Sequence, residues 1–221
     1  DIDKPSDYFN TVLYTGNGGT LTVSGVGFQS DFTWLKGRSF ADYHVLTDSV
    51  RGVNSQVYSN DTSIGTQTNG ITSFNSDGFV LGNWSNTNKA SQTHVAWNWK
   101  AETSFTNDAS GTGIGDIDSS GSVNTDAGFS IITATSDSAA DKNIAHGLGV
   151  VPDVILSKNL ASTFNWDCYF KTLGYNASLQ LNQTAAPRTG AWGSATFTST
   201  TFQTNDNFSS ENGSPYIYYC F

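Results

Sequence analysis

The sequence predicts an all-β protein built by tandem duplication of a unit of the β-sandwich or jelly-roll type. Short runs of β-branched and aromatic residues alternate with clusters of Gly, Asn, Asp and Ser, and no stretch keeps an apolar period near 3.6 residues. The turn formed by Gly25 and Gly27 recurs at Gly147 and Gly149, which lie 122 residues further on. Because solenoid repeats and propeller blades use roughly 20–50 residues, this spacing indicates a domain-sized unit used twice.

The first predicted element is a hairpin. Residues 11–15 and 20–24 are rich in Thr, Val and Leu, and they flank a Gly-Asn-Gly-Gly segment at 16–19. Glycine and asparagine supply the positive φ angles that a tight hairpin turn requires. We therefore expect these two strands to be adjacent and antiparallel.

Later strands are predicted by alternation of apolar and polar residues. Residues 28–36 place aromatic side chains on alternate positions, and residues 94–100 repeat the pattern with Val95, Trp97 and Trp99 on one face. A period of two is typical of a strand with two unlike faces.

The repeat divides the chain into three parts. Residues 1–101 form the first β-sandwich repeat, 102–126 a joint rich in Gly, Ser and Asp, and 127–221 the second repeat. The repeats are expected either as two lobes packed side by side or as two related sheets fused into one sandwich.

The composition argues against two classes of partner. The formal net charge is −9 over 221 residues, and about a quarter of the chain is Ser or Thr. Nucleic-acid binding requires clustered Lys and Arg, and anionic membranes also attract basic segments. No apolar run approaches the ~20 residues that span a bilayer. We therefore expect neither nucleic acid nor membrane insertion.

The two cysteines, Cys168 and Cys220, both lie in the second repeat. Two separately buried thiols are the favoured interpretation. A disulfide remains an alternative if their strands are neighbours.

Catalytic constellations are not evident. The two glutamates, Glu102 and Glu211, lie in polar linker-like segments, and the three histidines lack the close spacing of a zinc site. No Gly-x-Ser-x-Gly elbow surrounds a serine. The sequence is therefore interpreted as non-enzymatic, with no cofactor.

One motif resembles the start of a calcium-binding loop. Asp116, Asp118 and Ser120 alternate and are followed by Gly121, but Ala127 stands where such a loop has its bidentate Glu. A polar turn is favoured, and a loose calcium site is the alternative.

Four residues are candidate contacts for a carbohydrate or receptor: Tyr43, His44, Trp84 and Trp192. Each aromatic ring stands among Asp, Asn, Ser or Gly, outside the alternating core pattern. A flat ring beside polar groups suits a sugar, offering a face to C–H groups and partners to hydroxyls. The alternative is that these rings fill the ends of a sandwich or a subunit contact.

Several segments resemble a repeated domain of structural proteins in marine bacteriophages. They are residues 8–18, 25–32, 48–52, 74–79 and 95–100, with 127–132 and 146–152 resembling the second half of the same pattern. The resemblance implies a virion-associated protein of a tail fibre, tail tip or capsid decoration, with no catalytic residues to carry over. It also implies other virion subunits as partners, a homo-oligomer, and a virion or extracellular location.

The combined prediction is a non-enzymatic virion structural protein that adheres to a host-surface glycan or protein. Two alternatives are a purely architectural virion subunit without a ligand and a secreted bacterial carbohydrate-binding or surface-layer module.

Overall fold

The structure is a computed structural model that describes residues 4–137, 141–190, 192–193, 196–205 and 213–221. Strands hold 44% of the residues and helices 7%, so the all-β prediction is confirmed. The chain divides into two compact units, unit 1 up to Ala101 and unit 2 from Glu102.

From residue 4 onward, unit 1 is made of nine short strands, one α-helical turn and one 3₁₀ turn. The strands are β1 (Phe9–Thr15), β2 (Leu21–Ser24), β3 (Phe32–Gly37), β4 (Val45–Asp48), β5 (Gln56–Tyr58), β6 (Ile64–Gly65), β7 (Ile71–Asn75), β8 (Gly78–Leu81) and β9 (Thr93–Trp99). The helix α1 is Ser85–Asn88, and a 3₁₀ turn covers Pro5–Asp7.

Two sheets enclose the core of unit 1. The larger has the order β1-β9-β3-β4-β5-β6 and the smaller β2-β8-β7, all antiparallel. Alternate residues of the large sheet, such as Leu35, Val45 and Ala96, pack against Val23 and Phe79 of the small one. The period of two is therefore present in β9, but the face that enters this core carries Ala96. Trp97 and Trp99, on the face that the sequence marks as apolar, lie on the other side of the sheet and are half-buried.

The hairpin predicted around residues 16–19 is wrong. β1 pairs with β9 and β2 pairs with β8, so the two strands belong to different sheets. The turn is organised instead by Asn88, whose amide contacts the Asn17 side chain and the Gly19 carbonyl. A glycine-rich turn marks a reversal of the chain, but its partners come from residues distant in sequence.

The described part of unit 2 contains ten strands. They are β10 (Thr103–Asn107), β11 (Ser119–Asn124), β12 (Phe129–Thr135), β13 (Lys142–Ala145), β14 (Val154–Asn159), β15 (Asp167–Phe170), β16 (Ala177–Ser178), β17 (Arg188–Thr189), β18 (Thr201–Thr204) and β19 (Pro215–Cys220). The helix α2 is Ala109–Thr112, and a 3₁₀ turn covers Lys171–Leu173.

The large sheet of unit 2 has the order β10-β11-β12-β19-β14-β15, and the pairs β13-β18 and β16-β17 form two small sheets. Ile132, Ile155 and Tyr218 of the large sheet pack with Ile144 and Phe202 of β13 and β18. This core is richer in aromatic rings than that of unit 1.

Residues 102–126, expected as a joint, contain two strands of the unit 2 sheet. β10 pairs with β11 over its whole length, and β11 pairs with β12. Gly121 faces the backbone of β12 so closely that an added Cβ would lie 1.8 Å from the Ile131 carbonyl oxygen. The Gly and Ser content that indicated a linker therefore also serves a strand in close contact with its neighbour.

His94 is buried in unit 1 among aromatic rings. Its imidazole stacks on Tyr14 at 4.9 Å and meets Phe40 edge-on, and its Nδ1 lies 3.1 Å from the Gln92 carbonyl oxygen. Burial lowers the pKa of His94, although this carbonyl acts in the opposite direction. Burial likewise lowers the pKa of His146 in unit 2. Both rings are therefore held neutral.

Acid should consequently destabilise the fold. Because the folded pKa of His94 lies below the value of about 6.5 in an unfolded chain, the unfolded state takes up more protons as pH falls below 6.5. Stability is full above this pH and is lost on descent toward the folded pKa. We expect lower urea stability at pH 5.5 than at pH 7.5, and a smaller difference in His94→Gln. An identical pH dependence in both proteins would contradict the assignment.

Candidate functional site

The loop that carries Tyr43 is fixed to its neighbour by Asn60. The Asn60 side chain accepts a hydrogen bond from the His44 N–H at 2.8 Å and donates one to the Asp42 carbonyl at 3.2 Å. The Ser59 N–H donates to the His44 carbonyl at 3.0 Å. These bonds hold the segment before β4 in one conformation, so the Tyr43 ring is presented from a fixed backbone.

Three aromatic rings form a row on unit 1, which we call the aromatic row: Tyr43, Tyr58 and Trp84. Tyr43 stacks on Tyr58 with ring centroids 4.4 Å apart and an interplanar angle of 19°. Tyr58 contacts Trp84 at 6.3 Å and 55°. Tyr43 is exposed at 38%, Trp84 is half-buried and Tyr58 is buried at 4%. The row thus runs from an exposed ring into the core.

Trp84 is held from both sides. The backbone N–H of Trp84 donates to the Asn69 carbonyl at 3.1 Å. Its backbone carbonyl, directly before α1, accepts from the backbone N–H of Asn88 at 2.8 Å. The indole lies over Gly70, where an added Cβ would stand 3.2 Å from Cε3. The absence of a side chain at Gly70 therefore lets the indole lie close to the backbone.

Tyr58, the middle ring of the aromatic row, is held in its neutral form. Burial, with smaller contributions from Tyr43 and Asp61, raises the pKa of Tyr58 to about 12. Burial and the nearby Lys36 ammonium lower the pKa of His44. The surface around Tyr43 therefore combines aromatic rings with charged neighbours, among them Asp42, whose side chain accepts from the Tyr43 N–H at 2.9 Å.

The structure brings together three of the four residues proposed as contacts. Tyr43 and Trp84 share the row, and His44 follows Tyr43 on the same loop. Tyr58, which joins the two rings, was not identified from sequence, because it follows Val57 in a short buried strand and has the appearance of an ordinary core residue. Only the stacking of Tyr43 on it reveals the connection.

Trp192 does not belong to this site, and its prediction as an exposed contact is wrong. The side chain is fully buried in unit 2, edge-on to Tyr169 at 6.1 Å and to Phe202 at 6.4 Å. The flanking Gly190 and Gly193 have positive φ. They provide the backbone turns that direct the indole inward, rather than an exposed loop.

The residues of the calcium-like motif face separate partners. Asp116 accepts two hydrogen bonds from Asn143 at 2.8 Å, whereas Asp118 accepts one from the Ala109 N–H at 2.9 Å. Ser120 shares a hydrogen bond with Thr133 at 3.2 Å. Among the residues that the structure describes, no group of three or more His, Cys, Asp and Glu side chains could hold a metal ion.

A surface groove of about 370 Å³ adjoins this motif in unit 2. It is lined by Asp118, Ser119, Ser120, Thr133, Ala134, Thr135, Leu160, Pro215 and Tyr216. Serine and threonine residues of β11 and β12 supply its hydroxyls, Asp118 supplies a carboxylate, and Leu160 and Pro215 supply apolar surface, so it is a second surface with mixed character.

The prediction of two separately buried thiols is confirmed. Cys168 and Cys220 are free and buried, and β14 lies between their strands β15 and β19. Burial raises the pKa of each thiol to about 12. Thiolates, rather than thiols, are the reactive species, so both should be inert in the folded chain.

A thiol reagent should measure this protection. We expect native protein to react with a disulfide exchange reagent only at the rate of unfolding, and urea-unfolded protein to release two thiols per chain at once. Rapid reaction of either cysteine in the native state would show that its strand opens locally.

Asp167 is a buried carboxylate whose pKa is raised, a property that catalytic acids also show. Burial raises the pKa of Asp167 to about 6, while Arg188 at 3.5 Å and the Ser178 hydroxyl at 3.3 Å favour its charged form. Because Arg188 and Ser178 both contact its carboxylate, we interpret Asp167 as a structural group. Glu211, named in the sequence analysis, lies outside the described residues.

Comparison with known proteins places the chain in a family. No curated protein and no solved structure matched the chain. Within the described residues, no helix is long and apolar enough to cross a membrane. The family match covers residues 4–221, nearly the whole chain. The chain belongs to the family described as Domain of unknown function (DUF7483).

Proposed function

We propose that this chain is a non-enzymatic virion structural module that attaches to a glycan on the host surface through the aromatic row. The observation that carries the attachment proposal is the exposed Tyr43 ring, stacked on Tyr58 and continued by Trp84. The virion and extracellular location rests on the sequence resemblance to structural proteins of marine bacteriophages.

A saccharide suits the chemistry of the row. Aromatic faces pack against the C–H surface of a sugar ring, and nearby polar groups can accept or donate to its hydroxyls. Asp42 and Asn60 adjoin Tyr43 through hydrogen bonds of the same loop. Because Tyr43 and Trp84 are fixed by these loops before a ligand arrives, binding would cost little ordering entropy.

We propose, further, that the two units arose by duplication of one sandwich-like unit. The register of strands supports this, since pairs in unit 1 recur 122 residues later in unit 2. Thr33 pairs with Asn98 in unit 1, and the equivalent pair in unit 2 is Ile155 with Cys220. Likewise, Leu35 pairs with Val45, and the equivalent pair is Ser157 with Asp167.

Local hydrogen bonds follow the same spacing. The Asn60 side chain accepts from the His44 N–H at 2.8 Å, and the Asn182 side chain accepts from the Trp166 N–H at 3.0 Å. A side-chain bond at equivalent positions is a stronger sign of common origin than a shared fold class, because it requires the same residue type at the same place. Duplication also explains how both units kept this bond while the exposed ring of Tyr43 is replaced by Asn165 in unit 2.

Many copies of a module on one particle would strengthen attachment. Linked sites raise effective concentration, so weak individual affinity is sufficient for tight adhesion. A virion subunit without ligand and a secreted bacterial carbohydrate-binding or surface-layer module are the alternatives. The exposed apolar side chains of β1 favour the first of these, because they suit a subunit contact.

Binding to host cells and to a glycan array tests the attachment proposal. We expect multivalent wild-type protein to bind saturably and Tyr43→Ala to lose most of that binding. Phe164→Ala is the matched control, since it removes an aromatic ring that is 50% exposed in unit 2. Equal binding by wild type, Tyr43→Ala and Phe164→Ala would contradict a site at Tyr43, and absence of binding by the folded wild type would favour the architectural alternative.

A further inference from the structure

The two units differ at one edge of their large sheets. In unit 2, β12 lies beside β19 on one side and is covered by β11 on the other. In unit 1, β1 lies beside β9, which takes the place of β19, and no described strand covers its other side. Among the described strands, the equivalent edge is therefore paired in unit 2 and unpaired in unit 1.

The backbone pairing determines which residues face this open edge. The Lys100 N–H donates to the Tyr8 carbonyl and the Gly16 N–H to the Gln92 carbonyl. In an antiparallel pair, hydrogen-bonded positions alternate with outward-facing ones. The even-numbered residues of β1 thus bond to β9, and the odd-numbered residues from Phe9 to Thr15 point their N–H and C=O groups away from the sheet.

The open edge is long, apolar and uncharged. Leu13 is exposed at 61% and Phe9 at 37%, and both lie at odd positions on one face of the sheet. The seven residues of β1 include neither a charged residue nor a proline. Natural proteins usually protect edges with such residues, because an open edge pairs with other chains. Of the outward-facing backbone groups, the Thr11 N–H is hydrogen-bonded to the Asn10 side chain at 2.9 Å.

We propose that β1 is the edge at which two copies of this chain join, as antiparallel strands related by a two-fold axis at Thr11. In this register Phe9 lies opposite Leu13 of the partner subunit, and Thr11 opposite its own copy. Phe9 of each subunit then covers Leu13 of the other. The backbone groups of the odd positions complete a continuous sheet across the two subunits.

The strand itself argues for a second copy as the occupant. Its outward positions are self-complementary about Thr11, and cross-strand aromatic–aliphatic and Thr–Thr pairs are favourable. An isologous contact of this kind closes as a dimer instead of extending into a fibre. The precedent within the molecule is β11, which covers β12 as an antiparallel strand.

One strand pair buries less than the ~1,200 Å² that a specific, stable interface usually covers. We therefore expect a concentration-dependent dimer. The interface uses neither Tyr43 nor Trp84, so it stands independently of the glycan proposal.

A cysteine at the two-fold axis tests the register. Hydrogen-bonded residues of an antiparallel pair have Cα atoms about 5.5 Å apart, within the range that a disulfide bridges. We expect Thr11→Cys to form a covalent dimer under mild oxidation, at least tenfold faster than Thr72→Cys, which places a thiol on the exposed strand β7. The native cysteines are buried and free in both proteins. Equal cross-linking rates would overturn the register.

Sedimentation over a range of concentrations tests the interface without a cross-link. We expect wild type to associate and Leu13→Lys to remain monomeric, because a charge at the edge opposes pairing. Leu173→Lys, which changes a leucine exposed at 40% in unit 2, should associate like wild type. A wild type that stays monomeric at every concentration, or equal association of both variants, would overturn the proposal.

Discussion

Trp192→Ala is expected to destabilise the protein by about 3–5 kcal/mol, the range for removing a large aromatic side chain from a core. Trp192 is fully buried and contacts the rings of Tyr169, Phe197 and Phe202. Its loss leaves a cavity that a rigid, ring-filled core can close only in part. Chemical denaturation of the full chain, followed by far-ultraviolet circular dichroism, measures the change.

Trp192→Phe is the matched control for this prediction. The Trp192 indole nitrogen is buried without a hydrogen-bond partner among the described residues. Because phenylalanine retains much of the ring contact and removes that unpaired donor, we expect a much smaller loss than for alanine. Equal stability of Trp192→Ala and wild type would show that the residue is not a core side chain, and would return it to the set of surface contacts.

Asn88→Ala should produce the other large effect, a loss of about 2–4 kcal/mol, because several buried polar groups lose their partner together. Its amide nitrogen lies 2.6 Å from the Gly19 carbonyl oxygen and 2.8 Å from the Gly82 carbonyl oxygen. Its Oδ1 accepts from the Asn17 N–H at 2.8 Å. One side chain therefore joins the first turn of unit 1 to the segment before Trp84.

Asn86→Ala is the control, since it lies in the same helix and its side chain makes no hydrogen bond among the described residues. We expect it to cost well under half of the Asn88→Ala effect in the same denaturation experiment. Asn88→Ala should also weaken attachment, because Trp84 loses the support of α1. A change in stability equal to that of Asn86→Ala would contradict the proposed network.

The sequence allowed the fold class to be predicted because alternation and turn residues act locally. Gly25 and Gly27 were interpreted as a turn, and both have positive φ, as do Gly147 and Gly149 in unit 2. Strand partners could not be predicted in the same way. β1 and β2 are adjacent in sequence yet lie in different sheets, since Asn88, 69 residues after Gly19, and the distant strand β9 fix their positions.

The site could be predicted only in part for a related reason. Tyr43, Trp84 and Trp192 all stand among small polar residues, so the sequence gives them the same appearance. Whether such a ring points outward depends on backbone direction at its neighbours, and the positive φ of Gly190 and Gly193 turns Trp192 into the core. Tyr58 has no distinguishing neighbour at all, and only the folded loop stacks Tyr43 on it.

The central claim is that a glycan binds at the aromatic row, and the direct measurement is the dissociation constant of the best array glycan by titration calorimetry. We expect Tyr43→Ala to weaken binding by at least tenfold while Phe164→Ala leaves the dissociation constant unchanged, with both variants unfolding at the wild-type denaturant midpoint. An unchanged dissociation constant in folded Tyr43→Ala would contradict the claim.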